Sequence, residues 1–512
     1  MKFFTLLISF ASIFANVIAS PYYIALKQQN IDKVFTKLNQ VSDPDNYNYG
    51  NYMTHDQIRE LVSPNLKDVI PLMNHLQKFN CTWYGDMIKC KNYPDNIYNF
   101  SIVEFIEHVP ILGKKFNKLP NHSQNNGNYI GREVLLSLYN IPDFMAKNSS
   151  VCAVEYQGDS GYSSSDLYQQ QILNGEDNNT VKYTIGTDTG SDLETQLDIQ
   201  MMSQTFENVQ LWFWGSSAWL YAFAVDLMNT DHVPSVLSMS WGWSETDQCS
   251  ITNCVGNMTS QQYVDRVNVE YAKFGLRGIT LVVASGDAGA PGRTDEMCSS
   301  GEVHAVFPGG SPYVTSVGAT FLENNNKQKS WKTPLCKTYG CNSGNQQLPT
   351  NFINQSWTSG GGFSNYSARP KWQNNAVNNY LASGVHFPSS CNKNGRGYPD
   401  VTAIGHNCPI VSQGTIIGVD GTSCSAPIFA TILALLNDYQ KLRGKPVLGF
   451  ANPLLYKMQE TFTDITEGNN HCTEYQCCSL EYGYLATRGW DAVSGLGVPN
   501  VGKMIAWLDK NL

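Results

Sequence analysis

Residues 418–427 read Gly418-Val419-Asp420-Gly421-Thr422-Ser423-Cys424-Ser425-Ala426-Pro427, a turn with glycines that leads directly into the apolar segment 428–436. This pattern predicts a helix with the hydroxyl of Ser423 at its N-terminus. Unpaired N–H groups there favour developing negative charge. A serine so placed suits nucleophilic attack on a carbonyl, with the adjacent N–H groups holding the oxyanion. The alternative is that Ser423 is only a helix N-cap.

Composition limits the classes of function. The chain has 512 residues, a formal net charge of −9 and few charged residues (15%). It is long enough for two or three domains with a large core. Because it has no basic stripe to neutralise phosphates, nucleic acid is excluded as the main partner.

The N-terminus has the pattern of a secretory signal peptide. Lys2 precedes the apolar run 3–18, and small residues offer a cleavage point, so we assign residues 1–19 to the signal. No later stretch is apolar for long enough to cross a bilayer, because glycine and polar residues interrupt the nearest one, 210–228. We therefore expect a protein of the secretory pathway without a membrane span; the resemblance described below narrows this to a lysosomal or secreted protein.

Fourteen cysteines in such a chain indicate disulfides. A zinc site is disfavoured, because no Cys-x-x-Cys pair is matched by a second one. Three pairs could each close a short loop, while the other connections stay open: Cys81/Cys90, Cys249/Cys254 and Cys336/Cys341. Eight Asn-x-Ser/Thr acceptors favour a glycosylated protein: Asn80, Asn99, Asn121, Asn148, Asn178, Asn257, Asn354 and Asn365.

Residues 20–119 mix short helices with strands and are interpreted as a compact α+β domain. The predicted helices cover 31–38, 56–61 and 66–79, and the predicted strands cover 81–90 and 99–105. Residues 120–132 contain a polar tract with the composition of a linker, where we expect proteolytic processing.

From 133 to 512 apolar strands alternate with helices. The predicted strands are 151–156, 209–214, 235–241 and 280–285, and the predicted helices are 164–173, 192–202, 218–228 and 261–274. This order is typical of an α/β domain with a parallel sheet flanked by helices. Sites in such domains lie beyond the carboxyl ends of the strands, and Asp287 follows one of them.

A serine nucleophile needs a base, and none of the nine histidines has a sequence context that suits this role. Two carboxylates offer another solution. Glu194 and Asp198 are four residues apart in a predicted helix and share a face. Facing a site, they could share a proton and act as a general base at acid pH. The alternative is a pair of solvated acids on an exposed helix.

Motifs in several separate stretches occur together in one order. They are Tyr49-Gly50-Asn51-Tyr52-Met53-Thr54, Glu194 to Asp198, Ser238-Met239-Ser240-Trp241-Gly242, Ala284-Ser285-Gly286-Asp287, residues 307–318, Ser359-Gly360-Gly361-Gly362-Phe363-Ser364, Arg396-Gly397-Tyr398-Pro399-Asp400-Val401 and Gly421 to Pro427. With them the chain resembles the sedolisins, the serine-carboxyl peptidases, and within these most closely the lysosomal tripeptidyl peptidases. The resemblance covers nearly the whole mature chain.

The resemblance implies a subtilisin-like peptidase domain over 133–512 and an activation prodomain over 20–119 that inhibits it and is removed in acid. It further implies that Ser423 is the nucleophile, Glu194 the base and Asp198 the partner that orients Glu194. A protonated Asp287 would donate a hydrogen bond to the oxyanion. Because that role requires a neutral carboxyl group, activity is expected at acid pH.

The resemblance also implies one structural calcium ion near the C-terminus. The matching positions form an all-oxygen set suited to a hard cation. They are the carboxylates of Asp464 and Asp491 and the backbone carbonyls of Ile465, Thr487 and Gly489.

The expected function is hydrolysis of peptides and proteins through an acyl-Ser423 intermediate, with release of tripeptides from free N-termini. An endopeptidase of the same family, or an inactive relative that serves as a binding protein, is the alternative. Two departures from the family pattern bear on substrate preference rather than on the chemistry. Asp420 stands where relatives often have serine, and Cys424 replaces a small residue.

Overall fold

The computed structural model describes residues 21–107, 127–142, 149–156, 160–216, 218–252, 254, 258–323 and 329–512. The predicted signal peptide, 1–19, lies outside these residues, as does most of the predicted linker, 120–132. Among the described helices, each is too short or too polar to cross a membrane.

The described part of the chain folds into α-helices and β-strands, each set numbered in chain order. The helices are α1 (Ile31–Ser42), α2 (His55–Val62), α3 (Leu66–Leu76), α4 (Arg132–Tyr139), α5 (Ser164–Asn174), α6 (Leu193–Thr205), α7 (Leu220–Met228), α8 (Gln248–Thr252), α9 (Ser260–Leu276), α10 (Pro334–Tyr339), α11 (Phe352–Gln355), α12 (Asn374–Leu381), α13 (Thr422–Leu442), α14 (Asn452–Lys457) and α15 (Val501–Asn511). The strands are β1 (Tyr22–Leu26), β2 (Cys81–Trp83), β3 (Met87–Cys90), β4 (Val103–Glu107), β5 (Ser150–Glu155), β6 (Val181–Gly186), β7 (Gln210–Gly215), β8 (Val236–Met239), β9 (Trp243–Ser244), β10 (Thr280–Ala284), β11 (Val306–Phe307), β12 (Thr315–Leu322), β13 (Gln347–Pro349), β14 (Gly362–Ala368), β15 (Gly395–Tyr398), β16 (Val401–Ile404), β17 (Cys408–Ser412), β18 (Thr415–Val419), β19 (Phe462–Thr463) and β20 (Val498–Pro499).

The N-terminal unit is an antiparallel sheet in the order β2-β3-β1-β4. Successive side chains of a strand point to opposite faces of the sheet. In β1, Ile24 and Leu26 therefore pack with α3, whereas Tyr23 and Ala25 pack with α1 and with α7 and α9 of the larger unit. One face of the N-terminal sheet is thus buried against the larger unit.

Two elements of this unit differ from the sequence-based prediction. The single strand predicted over 81–90 is wrong, because the chain turns at Gly85 and forms the hairpin β2–β3. Gly85 has φ 88°, a conformation that favours glycine. A disulfide between Cys81 and Cys90 joins the ends of the hairpin. Strand β1 was not predicted.

The larger unit contains a sheet in the order β13-β12-β10-β8-β5-β7-β6, with β16 also paired to β12. All of these pairings are parallel except that of β12 with β13. The inner strands β5, β8 and β10 are buried along nearly their whole length, as expected where helices cover both faces. The predicted α/β class, with a mainly parallel sheet behind an α+β unit, is confirmed.

Helix α13 lies inside this unit, in contact with β8, β10, β12 and α6. Its residues from Thr422 to Asp438 are all buried. A helix that is apolar on every side, rather than along one stripe, belongs in a core. Because α13 packs on α6, the N-terminal turn of α13 lies beside the first turns of α6.

Candidate active site

Ser423 lies in the first turn of α13. The N-cap of this helix is Gly421, at φ 147°, so the interpretation of Ser423 as a mere N-cap is wrong. The serine is nearly buried, with 5% of its surface exposed. Its hydroxyl is therefore held close to the N–H groups of a helix terminus, in a site with little water.

Ser240, which follows β8, connects this turn to Asp198. Its hydroxyl lies 2.9 Å from each carboxylate oxygen of Asp198 and 3.5 Å from the backbone carbonyl oxygen of Ser423. That carbonyl has no helical N–H to accept, because the residue four positions on is Pro427. Ser240 belongs to one of the sequence motifs, but its role as this connection was not predicted.

Glu194 and Asp198 lie one turn apart near the start of α6. The helix starts here because the side chain of Asp192 caps it, accepting the N–H of Thr195 at 3.1 Å. All residues from Glu194 to Thr205 are buried. The alternative of two solvated acids on an exposed helix is therefore wrong.

The two acids perturb each other. Burial raises the pKa of Glu194, and the neighbouring hydroxyl of Ser423 partly offsets this by favouring the charged form. Burial, and then the charge of Glu194, also raise the pKa of Asp198. Neither oxygen of Glu194 has a hydrogen bond of ordinary geometry among the described residues. Two such carboxyls can hold one proton between them, which is the arrangement of a base that works in acid.

Asp287 lies on the other side of the first turn of α13, just beyond the carboxyl end of β10. Its Oδ1 accepts hydrogen bonds from the N–H of Thr422 at 2.8 Å and from the hydroxyl of Thr422 at 2.7 Å. Its Oδ2 lies 3.3 Å from a guanidinium nitrogen of Arg293. A guanidinium cation therefore lies against the carboxyl group to which the sequence analysis assigned the oxyanion role.

A fourth buried carboxyl group, Glu155, was missed by the sequence analysis. It ends β5, and its Oε2 accepts the indole N–H of Trp241 at 2.6 Å. Burial, followed by the charges of Asp198, Asp192 and Glu194, raises the pKa of Glu155. A signal existed in the sequence, since a lone acid at the carboxyl end of an apolar strand lies where α/β sites form.

The residues that depart from the family pattern have definite partners. Asp420 contacts Nδ1 of His406 at 3.0 Å and accepts the N–H of Asn407 at 2.7 Å. Cys424 is joined to Cys408 by a disulfide. The three short-loop disulfides expected from spacing are present, with two further bridges, Cys298–Cys478 and Cys472–Cys477.

The predicted calcium ligands lie together in the C-terminal loops. Asp491 is fully buried, and its Oδ2 accepts the N–H of Thr487 at 2.9 Å. Asp464 accepts the N–H of Gly489 at 2.7 Å. The hydroxyl of Ser494 lies 3.1 Å from Asp491 and 3.5 Å from the carbonyl oxygen of Ile465. Within the described part of the chain, however, no three His, Cys, Asp or Glu side chains form a metal-binding group.

These five residues still fit a hard cation in two respects. Asp491 is buried without an ion pair among the described residues, so it lacks a neutralising charge. The remaining candidates contribute oxygen atoms, the ligand type that Ca²⁺ selects.

Two protein families match the chain. Residues 17–91 match the activation domain of pro-kumamolisin, and residues 181–447 match the subtilase family. Physarolisin of Physarum polycephalum is 39% identical over 534 aligned positions, which cover 94% of this chain and 92% of physarolisin. Human tripeptidyl-peptidase 1 is 29% identical, with 93% and 89% covered. The solved structure of a Pseudomonas sedolisin, a serine-carboxyl proteinase, has a TM-score of 0.55 at 22% identity and covers 77% of this chain and 100% of its own.

The fold and the subtilase match define a serine peptidase with a subtilisin-like catalytic domain. It is a zymogen, because an activation domain precedes that domain in the same chain. The chain belongs to the sedolisins, the serine-carboxyl peptidases of the subtilase family.

Proposed function

We propose that this protein is a tripeptidyl peptidase that acts in acid, in the lysosome or after secretion, with Ser423, Glu194, Asp198 and Asp287 as its catalytic groups. The main support is the shared neighbourhood of the four side chains. Glu194 lies beside the Ser423 hydroxyl, Asp198 lies one turn along α6, and Asp287 is hydrogen bonded to Thr422.

In the first step, the hydroxyl oxygen of Ser423 attacks the carbonyl carbon of the third substrate residue while Glu194 takes its proton. Glu194 then gives this proton to the leaving amine, and an acyl-ester remains. Water attacks the ester with Glu194 again as base, and the proton returns to Ser423 as the tripeptide leaves. Asp198 orients Glu194, and a neutral Asp287 donates a hydrogen bond to each tetrahedral oxyanion.

Release of tripeptides, rather than internal cleavage, is supported by the similarity to human tripeptidyl-peptidase 1 over nearly the whole of both chains. The test compares a fluorogenic tripeptide amide that has a free N-terminus with its N-acetylated form, between about pH 3 and 7. We expect acetylation to abolish cleavage. Equal rates for the two substrates would instead support an endopeptidase.

The catalytic assignment is tested by Ser423→Ala, with Ser425→Ala as the matched control on the same helix. Among the described residues, the hydroxyl of Ser425 donates to the carbonyls of Ala403 and Ile404. We expect the first variant to lose at least about 10³-fold in kcat and the control to stay active. Unchanged activity of Ser423→Ala would reject the mechanism, and an inactive wild type that still binds peptide would support a binding protein.

The prodomain is proposed to inhibit the enzyme in cis, held by buried ion pairs. Asp86, in the hairpin turn, lies 2.9 Å from Lys273 and 3.2 Å from Arg266, both on α9. Arg266 also donates to the carbonyl of Leu26 at 2.7 Å and pairs with Glu104. Buried pairs of this kind hold two surfaces in one register, and they weaken when an acid partner takes a proton.

A second prodomain acid, Glu107, ends β4 at the same interface. It accepts the N–H of Ala222 in the first turn of α7 at 3.0 Å and the hydroxyl of Tyr263 at 2.6 Å. Burial raises the pKa of Glu107 to about 7. This group can therefore be neutral at mildly acid pH while the prodomain is still docked.

We further propose one structural Ca²⁺ held by Asp464, Ile465, Thr487, Gly489 and Asp491. The ion would neutralise buried Asp491 and cross-link loops that are far apart in sequence. Calcium chelation should lower the melting temperature, since ligand binding to the native state adds stability. An unchanged melting temperature would reject the site.

Entry into the secretory pathway through residues 1–19, with glycosylation, completes the proposal. The five acceptors that lie among the described residues are all exposed, as this modification requires. They are Asn80, Asn99, Asn178, Asn354 and Asn365. A mass shift on enzymatic removal of N-glycans is the expected result, and an unchanged mass would exclude modification.

A further inference from the structure

Arg293 lies among the catalytic groups without a role in the steps above. It lines a small pocket of about 30 Å³ together with Asp287, Trp243 and His304. Only 16% of its side chain is exposed. Because water screens a charge poorly in such a place, the guanidinium acts strongly on the ionisable groups around it.

The guanidinium group is shared unequally between two acids. Its Nη2 lies 2.7 Å from Oε1 of Glu474 but 3.3 Å from Oδ2 of Asp287. Its Nε also donates to Glu474, at 3.2 Å. Glu474 therefore has the closer contact, and its negative charge partly offsets the positive charge that acts on Asp287.

The oxygen of Asp287 that Arg293 contacts is also the one needed for catalysis. Oδ1 is already occupied by the two donors of Thr422. Oδ2 lies near Ser423, since a methyl group placed on Gly421 would lie 3.7 Å both from this oxygen and from Cβ of Ser423. A proton that reaches the oxyanion must sit on Oδ2, and an adjacent cation opposes its binding there.

We propose that Arg293, balanced between Asp287 and Glu474, sets the charge of Asp287 and so fixes the pH range in which the enzyme works. The inference rests on the catalytic roles proposed above. Arg293 is a positioning residue, because it acts through Asp287 rather than on the substrate. Glu474 has the opposite effect, because its negative charge offsets that of the guanidinium.

The other charged groups around this pair determine the form of the effect. Glu194, on α6, is also within the electrostatic reach of Arg293, and Asp192 adds a negative charge beside Glu194. Glu296 lies near Glu474, and His304 lies in the wall of the pocket. Because the cation favours the charged forms of both Glu194 and Asp287, its loss makes both groups hold their protons to higher pH. The two limbs of the pH profile, one set by the base and one by the oxyanion donor, then move in the same direction.

The test measures kcat/KM across about pH 2 to 8 for the acid-activated full chain and three variants. Arg293→Gln should move both limbs of the profile upward by about one pH unit, the effect of removing one close opposite charge. Glu474→Gln should move them downward by less, and Arg293→Lys should fall between wild type and Arg293→Gln. Arg443→Gln and Glu481→Gln, at remote and more exposed ion pairs, are the matched controls and should not move them.

Opposite shifts in the two variants would support the inference. Unmoved limbs, shifts in one direction for both, or a change in KM alone would overturn it. An equal loss of kcat at every pH in Arg293→Gln would instead make Arg293 a direct oxyanion donor and would also overturn it. If Arg293→Gln does not mature, Glu474→Gln alone tests the inference. A downward shift of both limbs supports it, and unmoved limbs overturn it.

Failure of this inference is separable from failure of the proposed function. If Ser423→Ala is inactive while the Arg293 and Glu474 variants keep the wild-type profile, only the present inference falls. If Ser423→Ala remains active, the proposed mechanism falls first.

Discussion

Replacing Asp86 by asparagine should release the prodomain at a pH at which the wild-type zymogen is stable. The variant keeps the size of the side chain and removes one charge from a buried cluster. Among the described residues, Arg266 and Lys273 then keep Glu104 and Glu270 as acid partners. The two cations stay balanced, but two charge-assisted hydrogen bonds to Asp86 are lost, each worth about 1.5–3 kcal/mol.

We take about 3 kcal/mol as the loss of docking free energy, the lower end of the range for two such hydrogen bonds. Each 1.4 kcal/mol is about a factor of ten, so the docked state of the prodomain should weaken by about 100-fold. Burial opposes the charge of Asp86, but Lys273 and Arg266 outweigh it and lower the pKa of this carboxyl group. A lowered pKa means that the charge contributes fully above about pH 4 and is lost only below it. Asp86→Asn lacks the stabilisation that this charge gives to the docked prodomain at every pH.

The assay follows the disappearance of the full chain, and the new N-terminus, at half-unit steps between about pH 4 and 7. Asp86→Asn should process between pH 5 and 7 at rates that the wild type reaches only in stronger acid. Asp95→Asn is the matched control, since Asp95 forms exposed pairs within the prodomain. Identical time courses for Asp86→Asn and wild type would refute the argument that this ion pair holds the prodomain.

Three further outcomes follow from the contacts described above. Glu107→Gln should process at pH 5 within about threefold of wild type, because the raised pKa of Glu107 leaves this group already neutral there; a much faster release would contradict this. Ser240→Ala should lower kcat by about tenfold or more through loss of a hydrogen bond to a buried carboxylate, whereas Ser238→Ala, which removes a hydroxyl without a partner among the described residues, should not. The double variant Cys408→Ala/Cys424→Ala should lose about 3 kcal/mol of stability, measured by denaturation, and an unchanged midpoint would show that the bridge is dispensable.

Sequence reasoning worked where the signal was local. The four-residue spacing of Glu194 and Asp198 and the glycine-to-apolar pattern before Ser423 each describe one turn of helix, and one turn is determined by neighbours in the chain. The alternation of strands and helices likewise predicted the parallel sheet. These features need no knowledge of which distant segments meet.

The remaining features depend on contacts between distant segments. Glu474 meets Arg293 across 181 residues, and Glu155 approaches Asp198 only when β5 and α6 pack together. Spacing gave the short disulfide loops, but the Cys298–Cys478 bridge spans 180 residues and has no local signal. The hairpin over 81–90 was missed because the whole segment was interpreted as one strand. The turn at Gly85, where φ is positive, was not recognised.

Ser423, the proposed nucleophile, lies on a helix that forms the interior of the molecule. Most soluble helices keep one side in water, so their ends can loosen without disturbing the core, but α13 has no such freedom over residues 422–438. Heat inactivation should therefore coincide with global unfolding, with no earlier phase of local fraying at Ser423. The remaining catalytic activity would then measure the fraction of molecules in which the whole domain is still folded.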